Sequence, residues 1–301
     1  MDINNLNAFI QVAETGSFSE AAIRLHITQP AVSKRIAALE MQLDNRLIDR
    51  IGRKVALTPA GSTLLPRAHA IINDLEDARR SLNNLSGTVS GRLNLAISHH
   101  LGLHRLPPIL RAFSQHYPDV TLDIQFLDSE VAYDAVAQGK IELAIITLTE
   151  QISEQIHAQT IWQDPLAFVV STTHPLAKKA QTNKISLETL SQHGAILPEL
   201  NTFTGTITKR LFNQQQLPLN ITMTTNYLET IAMMVSLGLG WSVLPTTLLN
   251  DKLYQLEIGN SQLTRQLGAI HHTERTLSNA AKAMLALLEK ERNSGDSLLN
   301  C

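Results

Sequence analysis

Residues 17–61 constrain the fold of this chain more than any other stretch. Leu6, Phe9, Ile10 and Ala13 recur at helical spacing and predict a first helix that stops near Gly16. Ser17 and Glu20 then have the spacing of a capping box, in which each side chain satisfies a free backbone N–H at a helix start. Ala21, Ala22 and Leu25 give the second helix a thin apolar face that lets a neighbour approach closely. Thr28 can cap a third helix, with Pro30 in its first turn, where a missing N–H costs nothing. Ala31, Val32, Ile36, Leu39 and Leu43 supply its buried face. Short helices joined by a tight turn in this way form a helix-turn-helix unit. Residues 47–50 and 54–57 follow as two short strands around a turn at Gly52, which makes a wing.

Charge sharpens that reading. The whole chain of 301 residues has a formal net charge of −2, so its global electrostatics do not advertise nucleic-acid binding. The basic residues of the first part are concentrated instead: Lys34, Arg35, Arg46, Arg50, Arg53 and Lys54 all fall between positions 34 and 54. A local basic patch is what contacts phosphate. A helix start beside two cations, followed by a basic hairpin, suits entry into a DNA groove.

Beyond Pro59 the pattern changes. Ala68, Ile71, Leu75, Ala78, Leu82 and Leu85 are spaced as a heptad seam flanked by charges, which favours pairing with a second helix over packing within one domain. Residues 86–91, Ser-Gly-Thr-Val-Ser-Gly, read as a hinge. Strands are then expected at 92–98, 120–127 and 143–147, with helices at about 101–116 and 129–138. A second set places strands at 166–171, 194–197, 221–225 and 242–244, with helices near 203–215 and 227–237. A last strand at 266–270 precedes a C-terminal helix carrying Ala280, Ala283, Met284, Leu287 and Leu288. Such alternation implies an α/β fold in two lobes with a cleft between them. The expected domains are 1–58, a linker helix over 59–86, a hinge over 87–91, and 92–301 as the two-lobed part. Lobe I takes about 92–161 and 266–301, and lobe II about 162–265.

Cys301 is the single cysteine, so no internal disulfide framework is possible and a reducing cytoplasm is expected. No signal peptide is visible, and the longest apolar stretch, Ile231 to Leu244, is too short and too interrupted by Gly and Ser to span a bilayer.

The residues Phe9, Ser17-Phe18-Ser19, Ala21-Ala22, Leu25, Gln29-Pro30-Ala31-Val32-Ser33, Ile36, Leu39-Glu40, Leu47, Arg50, Leu57-Thr58 and Ala60-Gly61 together resemble the winged helix-turn-helix of LysR-type transcriptional regulators. The likeness spans roughly residues 4 to 65. Further along, the run from Gln138 to Ile145 and the run Val235…Gly238-Leu239-Gly240…Leu244-Pro245 are similar to two elements of the family's effector domain. Ile48 and Asp49 depart from the residues commonest before the wing arginine. The resemblance implies a periplasmic-binding-protein-like effector domain behind the linker helix, a dimer through that helix, commonly a tetramer, and possible contact with RNA polymerase. The third helix would enter the major groove of double-stranded promoter DNA, with the wing toward the minor groove. Gln29, Pro30, Ser33, Lys34 and Arg35 become the DNA-contacting candidates on that helix, and Arg53 the candidate on the wing. The chemistry agrees, since Gln reads adenine bidentately while Lys and Arg favour guanine or phosphate.

A small effector in such a fold lies between the lobes, at the carboxyl ends of strands. Ser98, His99, His100, Asp128, Thr147, Thr202, Phe203 and Asn226 occupy those positions. Hydroxyl and amide groups suit a compact polar or anionic metabolite whose identity the sequence does not give. His100 and His104 stand i, i+4 and invite a metal, but no Cys or carboxylate lies near them in sequence, so no metal and no cofactor is expected. An enzyme on the two lobes would need a phosphate loop, a nucleophile elbow or a catalytic cysteine, and none is present. A ligand-independent architectural DNA binder is the remaining alternative.

Overall fold

The computed structural model describes residues 1–51, 54–259 and 263–294. Its contacts divide the chain into two compact units, Met1–Ser86 and Gly87–Cys301.

In the first unit, α1 (Ile3–Thr15), α2 (Phe18–Arg24) and α3 (Gln29–Leu43) bury Leu6, Phe9, Val12, Phe18, Ala21, Val32, Ile36 and Leu39 in one core. Gly16 closes α1 in the left-handed region, φ 63°, where its N–H reaches the Val12 carbonyl. Only half of the expected capping box forms. Ser17 Oγ accepts from the Glu20 N–H at 3.3 Å, but the Ser17 N–H donates to Thr15 Oγ1, at 3.3 Å, in place of the Glu20 carboxylate. Thr28 Oγ1 caps α3 by accepting from the Ala31 N–H. Ala31 and Leu43, expected in the core, are only partly buried.

The wing strands β1 (Ile48–Ile51) and β2 (Lys54–Leu57) pair antiparallel. Glu40, near the end of α3, accepts the Leu47 and Ile48 N–H groups at 2.8 and 3.2 Å and so fastens α3 to the wing. Ile48 is buried there in spite of its departure from the usual aromatic. Thr58 Oγ1 donates to the Arg46 carbonyl at 2.6 Å and accepts the Gly61 N–H at 3.0 Å, capping α4 (Pro59–Asn84). Gly61 lies so close to β1 that an added Cβ would sit 2.1 Å from the Leu47 carbonyl oxygen. The Thr-Pro-Ala-Gly run is therefore a joint between wing and linker helix.

Along α4, Ala68 is buried in the helix-turn-helix core, while Ile71, Leu75, Ala78, Leu82 and Leu85 are exposed. The heptad row thus leaves the core of its own unit after one residue.

The second unit is built on a seven-stranded sheet in the order β10-β6-β11-β5-β3-β4, with β9 also on β6. Here β3 is Gly91–Ile97, β4 Val120–Phe126, β5 Leu143–Thr147, β6 Ile156–Ser171, β9 Ser242–Pro245, β10 Leu253–Leu256 and β11 Leu263–His272. Strands β3, β4 and β5 run parallel, with α5 (His99–His104), α6 (Pro107–His116) and α12 (Asn279–Ser294) on one face. The other face packs against α7 (Ser129–Ala137). The expected single helix over 101–116 is broken where Pro107 starts a new first turn.

Expected strands at 166–171 and 266–270 prove to be parts of two much longer ones. β6 and β11 pair antiparallel from Leu166↔Leu263 to Ile156↔His272, with a bulge at Leu267/Gly268. The same strand β6 places Ile161 and Trp162 in the lobe I core and Leu166, Phe168 and Val170 in the lobe II core. The lobe boundaries expected at 161/162 and 265/266 fall inside these crossing strands. Lobe II adds α8 (Pro175–Ala180), α9 (Leu187–Ser191), α10 (Phe203–Gln214), α11 (Leu228–Ser236) and a parallel pair, β7 (Ala195–Leu197) with β8 (Ile221–Thr224). Trp241 anchors its core by stacking on Phe212 at 5.4 Å. Helices α8 and α9 and strand β10 were not expected from the sequence pattern, being short and weakly periodic.

The Gly61 contact gives a direct test. Gly61→Ala must displace the Leu47 carbonyl, at a cost of about 1–3 kcal/mol. Amide exchange in α3 and β1 is expected to accelerate by about 10- to 100-fold; unchanged protection would contradict the joint.

Candidate functional site

The first candidate surface is the start of α3. Gln29, Pro30 and Lys34 are exposed, whereas Ser33 and Arg35 are half-buried. Gln29 Nε2 donates to Ser33 Oγ at 3.1 Å, so a turn of helix orders the Gln side chain before any ligand arrives. Arg53 lies outside the described residues.

The second candidate site is a cavity of about 50 Å³ in the second unit, lined by Ser98, His99, His100, Leu127, Asp128, Ser129, Glu130, Thr147, Pro198, Thr202, Thr204, Asn226, Leu228 and Arg265. Seven of the eight effector candidates are in that lining. Phe203 is not. Its ring meets Tyr133 edge-on at 6.1 Å, and it lines a larger cavity of about 640 Å³ with Thr149, Glu150, Arg210 and Gln266. Several candidates spend their polar atoms on the fold itself. Thr202 Oγ1 donates to the Glu199 carbonyl and accepts the Gly205 N–H, while Asn226 Oδ1 accepts the Glu199 N–H. Ser98 begins α5 without a capping bond from its side chain. The Thr147 N–H donates to Ser129 Oγ.

A buried ion pair that sequence reading missed reaches the cavity lining through Arg265. Arg265 on β11 is buried, with Nε donating to Asp164 Oδ2 at 2.7 Å and Nη1 to Thr204 Oγ1 at 2.9 Å. Its Nη2 is buried without an acceptor among the described residues. Asp164 on β6 also faces Arg105 at 3.7 Å. Burial holds the Arg265 guanidinium below its usual pKa, with Asp164 acting in the opposite direction. The Glu229 carboxylate acts on the Arg265 guanidinium in the same direction as Asp164, and Arg105 against it. A signal for this was present. Asp164 alternates with Trp162 and Leu166, and Arg265 with Leu263 and Leu267, so period 2 turns both charges inward.

Several polar links cross from lobe I to lobe II, among them the Glu150–Arg210 ion pair at 2.6 Å and others beside the cavity. Glu130 Oε1 accepts the Phe203 N–H. Asn226 Nδ2 donates to Asp128 Oδ2 at 2.8 Å. Glu229 Oε1 faces His100 Nδ1 at 3.0 Å and His104 Nε2 at 2.9 Å, so a carboxylate distant in sequence reaches the His100/His104 pair in space. Burial lowers the pKa of the His100 imidazole, with the Glu229 hydrogen bond acting in the opposite direction. Burial also opposes the Glu229 charge, but hydrogen bonds from His100 and the backbone and the proximity of both histidines hold its pKa down to about 2.

Comparison with known proteins finds a family match for each of the two units. Residues 3–62 match the family model described as a bacterial regulatory helix-turn-helix protein of the lysR family, and residues 86–293 match the LysR substrate binding domain. A probable RuBisCO transcriptional regulator of Synechocystis sp. is 31% identical, over 94% of this chain and 84% of its own. An uncharacterized HTH-type transcriptional regulator of Azotobacter vinelandii is 73% identical over 108 residues, 36% of this chain and 75% of its own. The crystal structure of full-length CbnR complexed with its target DNA shares the fold, with a TM-score of 0.62 at 22% identity, covering 98% of this chain and 99% of that one.

Glu130 supplies a pH test of the lobe contact. Burial pushes its pKa up, the Phe203 N–H offsetting only part of this. The folded state therefore pays for the charged form in full above the raised pKa, and not at all below the unfolded value. Glu130→Gln keeps an acceptor for Phe203 and is expected to raise Tm at neutral pH, the gain vanishing as pH falls through the ordinary Glu range. A gain independent of pH would show that the carboxylate carries no such penalty.

Proposed function

This chain belongs to the LysR family of bacterial transcriptional regulators, and on that premise we propose that it is switched by a small anion held between its lobes by Arg265. The family is one of DNA-binding regulators with an effector-binding domain, not of enzymes. The observation that carries the proposal is the buried Arg265 Nη2, without an acceptor among the described residues, on a side chain that lines the cavity. An unpaired N–H of this kind costs about 1–3 kcal/mol. A carboxylate or similar anion would offset that cost through a charge-assisted hydrogen bond.

The cavity of about 50 Å³ is far below what a metabolite fills. The interlobe links hold the cleft nearly shut, so a larger effector must open them and a small one can enter as it is. Because β6 and β11 run through both lobes, a change in lobe angle is carried by strands and not by a loose linker. Helix α3 would dock its start in the major groove, with Gln29 and Lys34 foremost. The exposed row Ile71, Leu75, Ala78 and Leu82 on α4 would pair with the same row of a second chain, and such dimers would assemble further, as tetramers. Contact with RNA polymerase would follow from regulation at promoters. No helix among the described residues is long and apolar enough to cross a membrane, which accords with work in the cytoplasm.

Footprinting of genomic fragments, with and without a series of small carboxylates, tests both ends. Lys34→Ala is expected to weaken specific protection by about 5- to 100-fold and to lower the salt slope by about one. Arg265→Lys keeps a cation beside Asp164 but loses the guanidinium fork. It is expected to retain DNA protection and lose the anion response; a response equal to wild type would overturn the assignment.

A further inference from the structure

We propose that His100, His104 and Glu229 form a binding site for a divalent transition metal, with His99 as a fourth donor, that clips helix α5 of lobe I to helix α11 of lobe II. Donor atoms of the three residues lie within 4.8 Å of one another. Zinc-type ions hold imidazole nitrogen and carboxylate oxygen at about 2.0–2.2 Å, which sets neighbouring ligand atoms about 3.3–3.5 Å apart in a tetrahedron. The two nitrogens here stand 3.0 and 2.9 Å from Glu229 Oε1, so inserting an ion needs only a spread of a few tenths of an ångström.

Hydrogen bonding alone leaves this cluster poorly served. Both imidazoles converge on one oxygen, Glu229 Oε1. The second oxygen, Oε2, and His99 Nδ1 are each buried without a hydrogen-bond partner, 3.6 Å apart. A buried carboxylate oxygen with no donor is expensive. An ion among these four residues would take up both stranded atoms. The spacing is also right for the helix: His100 and His104 sit one turn apart on α5, their rings 4.7 Å from each other. Two or three imidazoles and one carboxylate favour zinc, nickel, copper or cobalt and disfavour calcium and magnesium, which want oxygen donors. Arg265 is the cation that works against the site, and Asp164, bonded to it at 2.7 Å, offsets its charge.

The site shares His99 and His100 with the cavity wall, but it does not rest on the anion proposal, because the probe is a metal ion alone. Full-length chain stripped with a chelator is titrated with Co²⁺ and followed by its visible ligand-field bands, then competed with Zn²⁺. One equivalent per chain with tetrahedral-type bands is expected, together with a rise in Tm of the second unit. His104→Asn, at a residue one-third exposed and so tolerant of change, is expected to weaken binding by more than about 100-fold, beyond the 10- to 100-fold that outer-shell changes cost. Glu229→Gln is expected to do the same, while His157→Asn, at a separate histidine pair with His271, leaves binding unchanged. Absence of binding in the wild type, or binding that survives His104→Asn undiminished, overturns the proposal.

Discussion

The second unit depends on one buried pair, Asp164 with Arg265, set between the two longest strands. β6 and β11 must run side by side through both lobes, and the pair sits where they pass from one core to the other. Buried ion pairs add little net stability, because desolvation consumes most of the Coulomb gain. Their value is positional. Asp164 fixes Nε of Arg265, Thr204 fixes Nη1, and what remains is Nη2, buried without an acceptor among the described residues, on a side chain that lines the interlobe cavity. Apolar residues of similar size would leave the strands paired and the cavity without its cation.

The surroundings of that nitrogen connect stability with response. Glu130 to Phe203, Asn226 to Asp128 and Glu229 to the histidines are polar contacts between lobes, each with a cost in desolvation or unmet hydrogen bonds. Contacts of that sort are modest in net energy and easily exchanged for a ligand. An anion on Arg265 and a cation on Glu229 would act on neighbouring groups with opposite charge. The cavity wall shared by His99 and His100 makes these two inputs neighbours within one closure.

The reading head was legible in sequence because its chemistry is local. Thr28, Glu40 and Thr58 act within twelve residues of their partners and Gly61 within fourteen, so type and spacing sufficed. Even there the reciprocal half of the Ser17 box was lost to Thr15, a competitor two residues away that spacing does not rank. In the second unit, strand ends and their hydroxyls could be placed by period, and seven candidates came together in the cavity wall. The charges that organise that cavity could not be placed. Arg265 and Asp164 lie 101 residues apart, and Glu229 lies 125 and 129 from its histidines, so only pairing of distant strands and helices joins them. Proline at 165 and the polar residues from 157 to 164 also disguised the first ten residues of β6 as a loop.

Anomalous diffraction from crystals of the full chain soaked in bromide tests the central claim most directly, since a halide fits the small cavity without opening the lobes. The account expects a bromide at hydrogen-bonding distance from Arg265 Nη2, between Ser98 and Thr202, that is absent in Arg265→Lys. A wild-type cavity without the anion, with Nη2 satisfied by a protein carbonyl, would contradict it.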